Sequence, residues 1–522
     1  MKAASAANKL LIHDQTYPPA SIILIVQKWF WAVLAVEVLA IVFFQIPIRL
    51  GFDGTAFGDY GLSLNAQFLI RHGYRPGVDF GYPYGPLSLL FGQLWFTLFG
   101  LTPHAFFSAM TICDLVFAVG LAQFAASMKF RWPALALIAV SVPFSILMDI
   151  TLAHALERIL MVWALAAQAD GRRSYALAMA TGAALVKPSM GFVYGFLLLV
   201  FIVAALRKNS KLTAWFLARE VQPAVVTAAV VLVASIALYG ASATFRLSLP
   251  LTGAELYRAA NNGFFTGSGR GFWYFPGVHP GYYFGTAVAF WFAASVLLIA
   301  GGCSSALAVF ASFRNREEPT PARELTLFCA ILHLAFITLF FGNNSSWTSY
   351  PYLLAMGVGA MTLWSQYSEK LVWLLIVLGV LGQKGMIDQN LRAWFNTAPT
   401  TATAGLWANP DERKEWSQVL DLAKGNSSVV LVYDGSAQLL FAGMAPLVGV
   451  TLVRGETTPS ELKRRIDQLS NAQFAIVPEV PNSSEFLNLW PEFKDQLSKW
   501  GVVVLKGRYF TVYRRSDSAS RL

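Results

Sequence analysis

Long apolar stretches separated by short polar connections dominate the first 388 residues of the chain. Lipid offers no hydrogen-bond partners to the backbone, so each stretch is predicted to be a helix that satisfies its own peptide groups. The predicted spans are residues 29–48, 104–127, 133–150, 155–170, 174–187, 189–206, 222–243, 281–312, 324–341, 350–367 and 371–388. The pattern therefore predicts an all-α polytopic membrane protein with about eleven transmembrane helices.

Two segments decide how these helices thread the membrane. Residues 174–206 are too long for one simple span, and the Lys187-Pro188 break favours two. Residues 87–101 are shorter than the ~20 residues that a span needs, so we predict a helix along the outer surface. The basic clusters then face the cytoplasm together with the N-terminus, as the positive-inside bias requires, and the C-terminus lies outside. These clusters are residues 129–131, 171–173, 207–211 and 314–318.

The pattern changes after residue 388, where short β-type runs replace the long apolar stretches. Strands are predicted within residues 428–434, 473–479 and 501–515. A capping box from Thr458 to Glu461 predicts a helix that continues to about Ser470. We therefore predict two domains, a transmembrane domain with its first outer loop and a small outer α/β domain. Their predicted bounds are residues 1–388, with the loop at 49–103, and residues 389–522.

Composition supports a membrane protein and argues against other classes. The 522 residues are 56% hydrophobic and 13% charged, with a mean hydropathy of +0.52. The net charge of +10 is confined to short clusters between apolar segments, which predicts topology signals and no nucleic-acid partner. Cys113, Cys303 and Cys329 lie in apolar stretches, and their spacing predicts neither a disulfide framework nor a metal site. No nucleotide-binding glycine loop and no HExxH motif occurs.

The first outer loop combines acids with a rigid turn sequence. Asp59 and Asp79 flank the stretch "YGLSLNAQFLIRHG", whose apolar spacing predicts a surface helix. The following "RPGVDFGYPYGP" is rich in Pro and Gly, residues that fix the path of a backbone. Such a loop suits a functional site, but carboxylates in loops are also commonly solvated, and the residues alone leave both interpretations open.

Three further places carry candidate chemistry. "MDITLAHALER" puts His154 and Arg158 one turn apart at an outer helix end, either as a site or as an interfacial salt-bridge patch. Lys187 ends a span before a proline, where it either binds an anion or extends to the lipid headgroups. Residues 261–285 are rich in Gly and aromatics, and an interfacial aromatic belt would not explain Arg270 among them.

The block from Asp59 to Gly100 resembles the first outer loop of the GT-C glycosyltransferases. The resemblance rests on an acid after the first span, a short helix ending in Gly, then "VDFGYPYGPL" and a helix ending in "LFG". It is especially similar to the bacterial branch of lipopolysaccharide-core galacturonosyltransferases, and more distantly to aminoarabinose, mannosyl and arabinosyl transferases. The stretch "GAALVKPSMG" (182–191) resembles the family's lysine at the outer end of a span. Many relatives carry a paired acid where this chain has Asp59-Tyr60, so no role that needs two adjacent carboxylates is implied.

The resemblance implies an enzyme of a bacterial inner (plasma) membrane whose active site faces the periplasm. Such enzymes move a sugar from a polyprenyl-phosphate carrier to a glycan, lipid or protein acceptor. The alternative is a lipid-linked glycan flippase or other secondary transporter, which would show paired halves that are not visible in this sequence. A non-catalytic envelope assembly protein would keep the fold without the chemistry.

The resemblance and the chemistry of sugar transfer together imply roles for individual residues. A sugar hydroxyl needs a general base, and Asp59 is expected to be that base. Asp79 is expected to orient the acceptor or a divalent metal ion. Asp59 and Asp79 are the candidate ligands of such an ion, and the metal requirement is left open. The lipid phosphate leaves with negative charge that fixed cations stabilise. The expected donor-phosphate ligands are Lys187, Arg270 and Arg158, and the expected substrate-binding residues are Tyr82, Tyr84, His154, Trp273 and His279.

Overall fold

The computed structural model describes residues 59–127, 151–187, 190–208, 214–249, 301–312, 321–340, 407–423, 429–431, 472–478 and 491–516, with a few isolated positions elsewhere. The helices are α1 (Asp59–Arg71), α2 (Pro86–Phe99), α3 (Pro103–Ser127), α4 (Leu152–Ala169), α5 (Arg173–Val186), α6 (Met190–Lys208), α7 (Ala214–Tyr239), α8 (Ala241–Ser248), α9 (Gly301–Ser312), α10 (Pro321–Phe340), α11 (Pro410–Ala423) and α12 (Pro491–Trp500). The strands are β1 (Ala398–Pro399), β2 (Trp407–Ala408), β3 (Val429–Leu431), β4 (Phe474–Pro478), β5 (Gly501–Lys506) and β6 (Phe510–Arg515).

Several of these helices have the length and composition of membrane spans. Within the described ranges, α6, α7 and the His104–Leu121 part of α3 are long and apolar enough to cross a bilayer. The chain is therefore a multi-pass membrane protein, mostly helical as predicted. The predicted spans at 133–150, 350–367 and 371–388 lie outside the described residues. Of the span at 29–48 only Ala35 and Leu39 are described, and the span at 281–312 is described from residue 301, so the count of eleven stays a prediction.

Helices α5 and α6 form a tightly packed hairpin whose tip carries Lys187. The chain leaves helical geometry at Lys187, where φ is −146° and ψ is 114°, and is helical again from Met190. A residue before a proline is biased towards extended backbone, which explains the predicted and observed break. A Cβ on Gly191 would lie 2.7 Å from the Ala180 carbonyl oxygen, so glycine is what lets the two helices approach this closely.

Helices α3 and α4 pack beside α5 and support the hairpin. Gly120 of α3 lies so close to α4 that a Cβ there would be 2.6 Å from Val162 Cγ1. In the second turn of α4, Arg158 donates to Asp114 of α3 across 2.9 Å, and their side chains are 2% and 1% exposed. Asp114 thus makes a helix-to-helix polar contact with Arg158.

Basic residues gather at the end of the bundle opposite to Lys187. Helix α5 begins at Arg173, and α6 ends with Arg207 and Lys208. Arg173 donates to Glu324 Oε1 across 2.6 Å, which ties the start of α10 to the same end. The clusters predicted at 171–173 and 207–211 therefore share one end of the bundle, and its cytoplasmic orientation stays a prediction.

Helix α2 lies where the sequence predicts a helix too short to cross the membrane. It runs for 14 residues between Gly85 and Gly100, whose φ of 81° ends it. One side buries Leu89 and Phe96, while Leu94, at 63%, is largely exposed. An apolar exposed side suits a helix in contact with lipid, and its predicted place on the outer surface stays a prediction.

Strands β1 and β2, which the sequence did not predict, pair antiparallel with each other, and the other four strands form a sheet in the order β3-β4-β6-β5. Strand β3 runs parallel to β4, whereas β6 is antiparallel to both of its neighbours. Helix α11 packs Trp416 and Val419 against Ile476 and Val512 of the sheet, and Phe107 of α3 packs against the same core. The strands of this sheet lie within the stretches predicted for them, and the stretch 501–515 folds as the β5–β6 hairpin.

The sequence pattern did not indicate α11. Its N-cap is Asn409, whose Oδ1 accepts from the Glu412 backbone N–H across 2.8 Å. An Asn-Pro pair before an amphipathic stretch is a start signal that could have located it. Of the helix predicted from Thr458 to about Ser470, Asp467 and Leu469 are described, and both are helical.

Candidate active site

Side chains from three separate parts of the chain meet at the Lys187 end of the helices. Tyr84 comes from the first loop, just before the Gly85 N-cap of α2. His154 lies in the first turn of α4, and Lys187 is the C-cap of α5. Thr151 caps α4 by accepting the His154 backbone N–H across 3.0 Å, so the start of the helix and the root of the imidazole are fixed.

The imidazole of His154 connects the other two groups. Its Nε2 lies 3.3 Å from the Tyr84 hydroxyl oxygen and 3.3 Å from Lys187 Nζ. An ammonium group can only donate, so Nε2 is the acceptor and the ring proton resides on Nδ1. The Tyr84 ring meets the imidazole edge to face, with 5.3 Å between centroids. The cluster therefore holds a cation in a fixed place, and Lys187 itself remains partly exposed.

The first loop is attached directly to the end of α5. Gly85 donates its N–H to the Val186 carbonyl oxygen across 2.7 Å. A Cβ on Gly85 would lie 2.7 Å from the Leu185 carbonyl carbon and still closer to its oxygen. The backbone at Gly85, with φ −77° and ψ 172°, suits any residue, so glycine serves the close approach alone. This contact places Tyr84 beside Lys187.

Tyr82 is connected to the same turn through Ser88. Ser88 Oγ donates to the Gly85 carbonyl oxygen across 2.8 Å and lies 3.2 Å from the Tyr82 hydroxyl oxygen. Because the serine proton is used by Gly85, the Tyr82 hydroxyl is the donor to Ser88. Burial raises the pKa of Tyr82 to about 12, and the bond to Ser88 opposes that shift, so the hydroxyl is protonated at neutral pH. Its engagement with Ser88 favours a supporting role, and the predicted substrate contact stays a prediction.

Asp79 lies in a closed turn and is bound by Arg75. Its Oδ2 accepts from the Arg75 backbone N–H across 2.7 Å and lies 3.2 Å from the Nε of the same residue. Gly77 donates its N–H to the Phe80 carbonyl oxygen across 2.8 Å, which closes the turn. Arg246 of α8 donates to the Gly77 carbonyl oxygen across 3.2 Å. These bonds make Asp79 part of the turn's framework, and its role towards an acceptor or metal stays a prediction.

Arg158 forms its own buried ion pair next to the cluster around Lys187. Its guanidinium pairs with Asp114 and lies 5.0 Å over the centre of the Phe117 ring, between α3 and α4. Asp114 neutralises this buried cation, and the predicted phosphate contact of Arg158 stays a prediction. His154 and Arg158 are one turn apart but have different partners, Lys187 and Asp114 respectively.

The remaining predicted site residues are Asp59, Arg270, Trp273 and His279. Asp59 is the first residue of α1. Within the part of the chain that the structure describes, no group of three or more His, Cys, Asp or Glu side chains is placed to hold a metal ion. A divalent metal ion at Asp59 and Asp79 stays a prediction. Arg270, Trp273 and His279 lie outside the described residues.

Sequence reasoning missed several polar side chains that hold the first loop in place. Tyr239 of α7 donates to Gln93 Oε1 of α2 across 2.8 Å, and Gln67 of α1 donates to the Leu89 carbonyl oxygen across 3.0 Å. Arg246 was also missed, although a basic residue on a short amphipathic helix just beyond a span is a usable signal. The two glutamines gave no such signal, because their partners are distant in the sequence.

Comparisons with known proteins find solved structures that are similar to this chain at low identity. No family model matches the chain, and no curated protein matches it. It is similar to the structure of ArnT from Cupriavidus metallidurans in the apo state, with 14% identity and a TM-score of 0.40, over 95% of this chain and 99% of that chain. For ArnT from the same organism bound to undecaprenyl phosphate, the identity is 13% and the TM-score 0.38, over 94% and 99% of the two chains. For the arabinofuranosyltransferase AftD from Mycobacteria, the identity is 11% and the TM-score 0.39, over 94% of this chain and 40% of that chain.

At these identities and scores, the likeness assigns no role to any residue. The functional argument therefore depends on this chain's own side chains.

Proposed function

We propose that the protein is a membrane glycosyltransferase that moves a sugar from a polyprenyl-phosphate carrier to a glycan, lipid or protein acceptor on the outer face of a bacterial inner membrane. The observation that carries this proposal is the Lys187 ammonium, held by His154 at the tip of the α5–α6 hairpin. A lysine that only extends to headgroups needs no fixed partner. Here the ammonium is partly buried and bonded to a side chain of another helix, as a binding group would be.

Lys187 acts on the leaving group in this proposal. As the bond between the anomeric carbon and the phosphate oxygen breaks, negative charge grows on the lipid phosphate. A cation already fixed in place stabilises that growing charge without reorganising first. One N–H of the ammonium is directed to His154 Nε2, and the other two can donate to phosphate oxygens.

Asp59 supplies the base in the same proposal. It begins α1, and Arg71 at the other end of α1 donates to the Phe96 carbonyl oxygen of α2 across 2.5 Å. This bond fixes α1 relative to the loop that carries Tyr84. The acceptor hydroxyl would give its proton to the Asp59 carboxylate as its oxygen attacks the anomeric carbon.

The proposal is tested first by donor binding to the purified protein in lipid nanodiscs. Lys187→Ala should weaken binding of a polyprenyl phosphate about ten- to a hundredfold, the effect of losing a charge-assisted contact of roughly 1.5–3 kcal/mol. The matching polyprenol, which lacks the phosphate, should bind both proteins equally. Lys208→Ala, which removes a lysine at the opposite helix end, is the matched control and should bind as the unaltered protein does. Equal affinity of Lys187→Ala and the unaltered protein would exclude the phosphate role.

Transfer itself is tested in cells. Mass spectrometry of envelope glycans should reveal a missing sugar when the gene is deleted, and its return with the unaltered gene but not with Lys187→Ala. An identical glycan profile with and without the gene would contradict the proposal.

The outer-face assignment has its own test. A cysteine introduced at Lys208 should be protected from a membrane-impermeant thiol reagent, and one introduced at Ser518 should be labelled, in cells with a permeable outer wall. The reverse pattern would invert the proposed orientation.

A further inference from the structure

We propose that His154 is a positioning residue that acts through Lys187, its Nε2 lone pair holding the ammonium where the lipid phosphate binds. The inference rests on the proposed function and deepens it, because it assigns His154 to the lysine and not to the sugar. His154 Nε2 and Lys187 Nζ are 3.3 Å apart, although the residues come from different helices.

The imidazole is held more firmly than the group it positions. His154 is 8% exposed, its backbone is fixed by the Thr151 cap, and the Tyr84 ring packs edge-on against it. Lys187 has a flexible four-carbon stem and stands where the helix has already ended. A rigid acceptor beside a flexible cation restricts the cation, which is the arrangement a preorganised phosphate site requires.

The proton on the other ring nitrogen supports the same assignment. With Nε2 accepting, Nδ1 carries the proton, and this atom is buried with no hydrogen-bond partner among the described residues. A buried donor without a partner destabilises a fold, so an apolar side chain would serve helix packing better. Packing alone therefore does not account for a histidine at position 154.

The Tyr84 hydroxyl shares the same acceptor. Both Tyr84 and Lys187 lie 3.3 Å from Nε2, which has one lone pair. Only one of the two donors can be fully bonded to the imidazole at a time. When Lys187 takes the Nε2 lone pair, the Tyr84 ring still keeps its edge-on contact with the imidazole.

Three substitutions of His154 test the proposal, and two of them differ in how far their amide oxygen extends from the backbone. The amide oxygen of Gln extends about as far as Nε2, and that of Asn only about as far as Nδ1. His154→Gln should therefore keep the affinity for polyprenyl phosphate within about threefold of the unaltered protein in nanodiscs. His154→Asn and His154→Leu should weaken it about tenfold or more, because the ammonium loses its acceptor. Unfolding temperatures of all three variants separate this effect from a loss of structure.

A double-substitution cycle gives the deciding result. In the Lys187→Ala background, His154→Leu should cause no further loss of affinity, because its effect passes through the lysine. Losses that multiply, or an Asn variant that binds as tightly as the Gln variant, would overturn the inference. If His154→Leu does not fold, His154→Asn takes its place in the cycle.

The same measurements distinguish this inference from the proposed function. If polyprenyl phosphate binds with the expected coupling but sugar transfer is absent, the transferase proposal fails and the positioning role stands. If Lys187→Ala binds polyprenyl phosphate normally, both are overturned.

Discussion

Gly85→Ala is the substitution for which the structure gives the clearest expectation. The backbone angles at Gly85 are ordinary for alanine, so the new methyl acts through contact alone. Its Cβ would start 2.7 Å from the Leu185 carbonyl carbon and would need to reach about 3.4 Å for ordinary van der Waals contact. The loop and the end of α5 must therefore move apart, because the opposing atoms belong to the backbone and cannot rotate away.

The expected loss of stability follows from the hydrogen bond that this separation breaks and from the cost of relieving the overlap. The Gly85 to Val186 hydrogen bond is 2.7 Å long, and the same displacement would carry it beyond the usual 3.2 Å limit. Its loss costs about 0.5–1.5 kcal/mol, and relief of the overlap costs roughly 1–3 kcal/mol. We expect the free energy of unfolding to fall by about 2–4 kcal/mol. Misplacing a binding group by ~1 Å can cost about a hundredfold in rate, so donor kcat/KM should fall at least tenfold.

Gly73→Ala is the matched control within the same loop. Gly73 has a φ of 85° and no atom within 4 Å of where the new methyl would lie, so its cost lies in backbone conformation and not in contact. Gly73→Ala should lower stability by about 1–2 kcal/mol while leaving donor KM unchanged. Thermal unfolding in detergent and donor titration of both variants provide the comparison. A Gly85→Ala protein with unaltered stability and unaltered donor KM would show that the loop is not fixed to α5 as described.

Three further substitutions test the other assignments. Asp59→Asn should lower turnover by about 10²–10⁴-fold while donor binding survives, since it removes the proposed base, and normal turnover would exclude that role. Asp79→Asn should cost less than about tenfold in turnover, because Asn can still accept the Arg75 N–H and the exposed ion pair contributes roughly 0–1 kcal/mol; an inactive variant would instead point to a direct role. Arg158→Leu should destabilise the protein by roughly 3–5 kcal/mol in thermal unfolding, since Asp114 loses its buried cation, and adding Asp114→Leu should restore most of that loss. No recovery in the double variant would show that the pair does more than pack α3 against α4.

The features that could be predicted from the sequence are those that depend on residues adjacent in the chain. The break at Lys187 follows from the proline after it, and the short α2 follows from the prolines near both of its ends. The β4 and β6 strands follow from compact runs of β-formers. Each of these depends on a few adjacent residues, so pattern and propensity were sufficient.

The sequence could not predict which distant residues meet. His154 and Lys187 are both conspicuous in the sequence, but their pairing depends on how α4 packs against α5. The loop around Gly85 was recognised in the sequence as one that suits a functional site. The sequence did not show that its turn contacts the Leu185 carbonyl and places Tyr84 beside His154. A close contact between two backbone segments leaves no periodic pattern in the sequence. In the sequence, a glycine that such a contact requires cannot be distinguished from a glycine that a turn requires.

Phe107 has a consequence for the order in which the molecule assembles. Its ring packs against Phe106 and the helices on one side and against the β4–β6 core on the other. About 400 residues separate Phe107 from Phe510 of that core. At roughly 5–20 residues per second, the ribosome completes the covering strands about 20–80 seconds after Phe107 is made. During that interval Phe107 lacks the sheet that later covers it, so we expect the sheet to dock onto α3 after α3 has been made.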